Sequence, residues 1–224
     1  DRLQPRQVCD LSRAVSLGVP TVFLVSRYSL DASERGISSG VPLERIEPGL
    51  EDLFAAWGVE LRAEILASNS AGALTMPRLL PGGQRLMMET PLPVNVAAEA
   101  PGCLSQDLPI MRGVPKLVFP ATTGLRLSAE RLEKVGAEAK VLASSAKETW
   151  AVKLDPRAPD SPFAREPGSG PTVGQYQAEL ARPKDPADAE SEKAFIGPVP
   201  LAVFLGGRLP SPFEGRPVPA WEEK

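Results

Sequence analysis

Hydrophobic positions along the chain fall in short runs, and their spacing changes from helical to extended between punctuating Gly and Pro residues. Pro5 suits the first turn of a helix, where a missing N–H leaves no bond unmade. Val8, Leu11 and Val15 then recur on one helical face. Gly18 ends this helix, and Pro20 does not continue it. The run Thr21-Val22-Phe23-Leu24-Val25 is short, continuous and rich in β-branched residues. It predicts a strand buried on both faces. A helix leading through Gly into such a strand is half of a βαβ repeat. No strand precedes the helix, and the chain opens at Asp1. The sequence therefore reads as a segment of a larger protein that starts partway through an α/β unit.

Residues 30 to 47 are polar, with Gly36, Ser38, Ser39 and Gly40, and predict a surface loop. Pro48 opens a second helix in which Leu50, Leu53, Phe54 and Trp57 form an apolar stripe, with Glu51 and Asp52 in the first turn and Gly58 as the stop. A helix of about ten residues is too short to persist alone in water, so the stripe must pack on a core. Strands are expected at 59–66, 84–89, 92–98, 115–119 and 139–143, with a weaker candidate at 149–153. The turn sequences Pro81-Gly82-Gly83 and Pro101-Gly102 separate some of them. Ser128 to Val135 predicts a short helix with Ser128 as N-cap.

Between residues 155 and 193 the pattern lapses. Seven prolines and thirteen charged residues surround only four large apolar ones, Phe163, Val173, Tyr176 and Leu180. That is too little apolar surface to offset the ordering entropy. The stretch predicts a long surface excursion with at most a helical turn at 175–181. Val199 to Leu205 then returns as a last strand, followed by a Pro-rich tail. The expected organisation is an α/β domain over 1–154, a Pro-rich charged loop or linker over 155–193, and a returning strand and tail over 194–224.

Composition narrows the chemistry. A hydrophobic fraction of 42% and a charged fraction of 24% are ordinary for a folded domain. Net charge is −3 with no basic run, which does not indicate a nucleic-acid-binding face. No apolar stretch approaches the roughly 20 residues a membrane helix requires. The chain contains no histidine, which excludes Ser-His-Asp and Cys-His mechanisms within it. Cys9 and Cys103 lie too far apart in sequence for a zinc-ligand pair. A disulfide between them would add up to ~4.7 kcal/mol in the chain-entropy account; two unreactive thiols are the alternative.

Three further patterns have functional and structural readings. Ser144-Ser145-Ala146-Lys147 fits S-x-x-K, in which Lys activates Ser for acyl transfer, but no K-T-G partner follows and the setting is a turn after a strand. Gly168, Gly170 and Gly174 lack the preceding strand and the Gly-Lys-Ser/Thr of a phosphate loop. Asp185, Asp188, Glu190 and Glu192 lack EF-hand spacing. All three read as surface structure, and no catalytic, cofactor-binding or metal-binding residue is assigned.

Several phrases in order resemble a known family, the auxiliary components of ABC-type transport systems that include a gliding-motility auxiliary protein. They are Gly18-Val-Pro-Thr-Val-Phe-Leu-Val25 with Tyr28-Ser-Leu-Asp31; Pro48 to Val59; Leu104-Ser-Gln-Asp-Leu-Pro-Ile110 with Leu117-Val-Phe-Pro120; Ser144-Ser145 to Trp150; and Gly197 to Val203. The resemblance implies a three-layer α/β sandwich with a mostly parallel or mixed sheet, related to class I glutamine amidotransferases but without their Cys-His machinery. It also implies a membrane-anchored protein with this region on the periplasmic face, its anchors outside this segment, and permease and ATPase subunits as partners. Relative to that family the segment lacks most of the amino-terminal α/β half. Two other functions stay open: a glycan or small-ligand binder whose cleft is formed by loops 30–47 and 104–114, and a hydrolase using Ser144 or Ser145 with Lys147.

Overall fold

A computed structural model describes residues 2–30, 43–79, 84–152 and 195–221. Helix α1 spans Pro5–Ser16 and ends at Gly18, whose φ of 88° suits a residue without Cβ. Helix α2 is confined to Glu51–Ala56, starting three residues after Pro48, and helix α3 covers Ala129–Val135. The Ser128 side chain accepts from the Arg131 N–H, and Gly136 closes α3 in the left-handed conformation, as the sequence predicts.

The strands are β1 Tyr28–Leu30, β2 Leu43–Arg45, β3 Val59–Ser68, β4 Ala71–Leu79, β5 Arg85–Glu99, β6 Lys116–Pro120, β7 Thr123–Leu127, β8 Glu138–Ser144, β9 Thr149–Val152 and β10 Pro200–Gly206. They form four small sheets, ordered β1-β2, β10-β8, β7-β3-β9 and β4-β5-β6. Every strand pair among the described residues is antiparallel. This corrects the expected sandwich with a mostly parallel or mixed sheet. A parallel pair needs a crossover of a dozen or more residues, whereas β3 and β4 are joined by two residues and no α-helix lies between β3 and β7.

Three other expectations are corrected. Residues 21–25 form no strand. Residues 30 and 43–45, expected in a loop, belong to the β1-β2 pair. The strands expected at 84–89 and 92–98 are one continuous strand, β5. The strands expected at 59–66, 115–119, 139–143, 149–153 and 199–205 correspond to β3, β6, β8, β9 and β10, with ends shifted by one or two residues. The predicted excursion, its turn at 175–181, the Gly168–Gly174 pattern and the acidic cluster lie outside the described residues. At the borders of that stretch, Trp150 and Phe195 form an antiparallel bridge with ring centroids 6.2 Å apart.

Two apolar clusters organise the elements. One joins α1, α2, the start of β3 and the segment after β10 through Val8, Leu53, Phe54, Trp57, Val59 and Leu209. The other joins the end of β3 to β5, β8 and β10 through Leu66, Val96, Ala98, Leu104, Ala143 and Leu201. In the first, Phe23, Phe54 and Trp57 pack mutually, with centroids 5.3–6.2 Å apart. Trp57 is 1% exposed, and its Nε1–H donates to the Pro210 carbonyl at 2.8 Å. The stripe predicted on α2 is therefore core. Cys9 and Cys103 are both free thiols.

Truncating the ring of Phe54 leaves a cavity against Phe23 and Trp57. The Phe54→Ala variant is expected to lose about 3–5 kcal/mol, read as a lowered urea midpoint with an unchanged slope.

Tyr28 is buried and its hydroxyl donates to the Ala63 carbonyl at 2.9 Å. Burial raises its pKa; Arg45 and Arg27 oppose the shift and Glu64 adds to it. Because the folded state holds the proton more tightly than the unfolded chain, this contribution is complete below the ordinary tyrosine range. It is lost as pH rises through the folded value. Urea midpoints measured upward from about pH 9 should fall less steeply in Tyr28→Phe than in the parent.

Candidate functional site

Three regions bear on function: the Ser-Ser-Ala-Lys turn, the extended segment after α1, and a cleft between α1, α3 and the C-terminal tail.

The turn Ser144–Lys147 lies between β8 and β9 and is closed over by the segment leading into β10. Ser145 is 1% exposed. Its Oγ accepts from the Val199 N–H at 3.0 Å and donates to the Ala146 carbonyl at 3.3 Å, and its N–H donates to the Val199 carbonyl at 2.9 Å. Thr149 Oγ1 donates to the Ala146 carbonyl at 2.7 Å and stands 3.2 Å from Ser68 Oγ. Gly197 presses against this turn so closely that a Cβ there would collide with the carbonyl oxygens of Ala146 and Lys147. Lys147 is exposed, and no hydrogen bond joins it to either serine. A Ser–Lys pair needs a desolvated amine beside an accessible hydroxyl; here the amine is in water and the Ser145 hydroxyl is committed to the backbone. The turn fastens β10 to the end of β3.

Residues 20–25 join neither a helix nor a strand. Among the described residues their backbone N–H and C=O groups make no hydrogen bond. Their side chains alternate. Phe23 and Val25 pack inward on the Phe54–Trp57 cluster, whereas Val22 is 80% and Leu24 94% exposed. Leu17, at 83% exposure, and Val19 continue the apolar surface toward α1. The expected strand with two buried faces is thus not met: Phe23 and Val25 are half-buried, and Thr21, Val22 and Leu24 are exposed. A β-branched run without a neighbouring strand has nothing to cover its second face.

The cleft encloses about 800 Å³. Its walls come from Cys9, Arg13, Ser16 and Leu17 of α1 and its cap, from Lys134 and Val135 of α3, and from the tail between Arg208 and Val218. It does not coincide with the loops proposed from sequence to form a ligand cleft. Residues 31–42 lie outside the described residues, and in 104–114 Leu104 and Met111 turn inward to the second core cluster. Four cations line the cleft, Arg13, Lys134, Arg208 and Arg216, against one carboxylate, Glu214. Sequence reasoning missed them because they are scattered from one end of the chain to the other. Arg13 and Lys134 were detectable as basic residues in the last turn of predicted helices; Arg208 and Arg216 carry no local signal. Among the described residues no group of three or more Cys, Asp or Glu side chains is placed to hold a metal ion.

These features define an α/β domain with antiparallel sheets whose open surfaces are an apolar extended edge and a cationic cleft. The chain belongs to the family described as ABC-type uncharacterized transport system, whose model matches residues 1–224. The name of that family points to an auxiliary component of such a system. No curated protein and no solved structure matches the chain. No helix among the described residues is long and apolar enough to cross a membrane.

With Ser145 shielded, a fluorophosphonate probe is expected to leave the folded protein unlabelled. Ser145→Ala should instead lower stability by about 1–3 kcal/mol, because the Val199 N–H is left buried without an acceptor. Labelling of Ser144 or Ser145 that disappears in Lys147→Ala would identify a reactive dyad.

Proposed function

We propose that this chain is a non-catalytic, extracytoplasmic domain of a membrane-anchored protein, and that it contacts the permease and ATPase assembly of its transport system by binding. Family membership supplies the system. The extracytoplasmic and anchored placement follows the resemblance to gliding-motility auxiliary proteins. The observation that carries the binding role is the segment 21–25, a row of unpaired backbone groups flanked by exposed Val22 and Leu24.

Strand addition satisfies such a segment on both counts. A partner strand pairs with the free N–H and C=O groups, and alternate apolar side chains cover the bare face. Burying Val22 and Leu24 is worth about 1.5–3 kcal/mol each. Single exposed apolar residues need no explanation, but a contiguous apolar surface on an extended segment marks an interaction site.

The full-length protein extracted from its native membranes should bring down the permease and ATPase, identified by mass spectrometry. Val22→Lys with Leu24→Lys should cut their recovery at least about tenfold, the effect of ~1.4 kcal/mol or more in affinity, while leaving the melting temperature unchanged. Extracts in which neither subunit accompanies the parent protein would overturn the reading.

A further inference from the structure

We infer that the cleft between α1, α3 and the C-terminal tail is a binding site for a small organic polyanion, one bearing two or more phosphate or carboxylate groups. The first support is charge. The chain as a whole is acidic, at −3, yet this cleft gathers four cations and one carboxylate. The ion pairs formed among the described residues are Arg6–Asp10, Arg62–Glu64, Lys116–Glu99, Arg131–Glu60 and Lys140–Glu138. None of them involves a cleft cation. Among the described residues no carboxylate forms an ion pair with a cleft cation.

A purely structural account covers half of the group. Arg13 and Lys134 occupy the last turns of α1 and α3, where a cation complements the helix end. Arg208 and Arg216 have no such role. They lie on the tail beyond β10, and among the described residues neither has a helix end or an acidic partner. All four cations are exposed to solvent, so an entering anion meets them without having to displace an internal ion pair.

The second support is preorganisation. The tail that carries Arg208 and Arg216 is pinned between them. The Pro210 carbonyl accepts from Trp57 Nε1, Ser211 Oγ accepts from Ser12 Oγ at 2.6 Å, and Leu209 is buried in the aromatic cluster. Two turns follow, closed by Glu214 N–H to the Ser211 carbonyl and Arg216 N–H to the Phe213 carbonyl, each at 3.1 Å. The backbone that bears the two guanidinium groups is therefore fixed before any ligand arrives, which lowers the ordering cost of binding.

Size and lining select the ligand class. The cleft is half open to solvent and offers about 800 Å³, room for a small molecule rather than a macromolecule. Three of its four cations are Arg, whose planar fork grips phosphate and carboxylate oxygens in pairs. Phe213 is its one aromatic residue. A cleft for a neutral glycan would offer stacking rings rather than guanidinium groups. This inference does not depend on the transport-partner contact at 21–25, which lies outside the cleft lining.

Pyrophosphate and citrate serve as probes, titrated by calorimetry and by thermal shift at low salt. The expected result is saturable binding of at least one probe, with a rise in melting temperature of roughly 5 °C near saturation. Arg208→Ala with Arg216→Ala should weaken that binding at least about tenfold, the loss of one charge-assisted contact or more. Arg126→Ala, exposed on β7 outside the cleft, should leave it unchanged. A shift reproduced by sodium chloride at equal ionic strength, or one of equal size in the double Arg variant, would overturn the assignment. So would the absence of binding by either probe to the parent protein.

Discussion

The contact between Trp57 and the chain after β10 ties the end of α2 to the tail. The indole is held at the C-terminal end of α2 by its neighbours Leu53 and Phe54. Its ring N–H donates to the Pro210 carbonyl, and Phe23 packs against both it and Phe54. One aromatic cluster thus sets the inner face of the extended segment and the floor under the tail. Both open surfaces of the domain follow from it. In the segment at 21–25 Phe23 and Val25 pack on this cluster, while Val22 and Leu24 stand in solvent. The tail arginines stand where they do because Leu209, Pro210 and Ser211 are fixed beneath them.

The second apolar cluster has a different task. It is built from strands, and its polar seam is unusual for a buried region: Ser68, Ser145 and Thr149 are all shielded and hydrogen-bonded to backbone or to one another. Hydroxyl groups there replace the ladder bonds that irregular turns cannot supply. Ser145, one of the two serines that invite a catalytic interpretation in the sequence, is occupied in holding the segment leading into β10 against the turn that precedes β9.

Much of the local structure was legible in the sequence, because its signals are local. Pro5, Ser128 and Gly136 mark helix ends by their own stereochemistry, and Val59 to Leu66 declares a strand by composition. Strand direction was not legible, since a period of two is the same in parallel and antiparallel pairs. β4 escaped notice because Ala71, Gly72 and Ala73 carry little hydrophobic signal. Gly72 is small for a reason seen only in three dimensions: a Cβ there would collide with the Val118 side chain. Pro91 and Pro93 made β5 look like two strands, although its register with β4 runs through Pro91. The cleft was the least visible feature of all. Its four cations come from two helix ends and a tail, and only the fold brings them to one place.

The bridge between Trp150 and Phe195 has a consequence for how such chains can diverge. It pairs residues on either side of positions 153–194, so the two flanks of that stretch touch. Lengthening or shortening a chain between two points already held together costs entropy only as the logarithm of its length. Length changes between Val152 and Phe195 therefore carry a small penalty for the scaffold that holds the flanks.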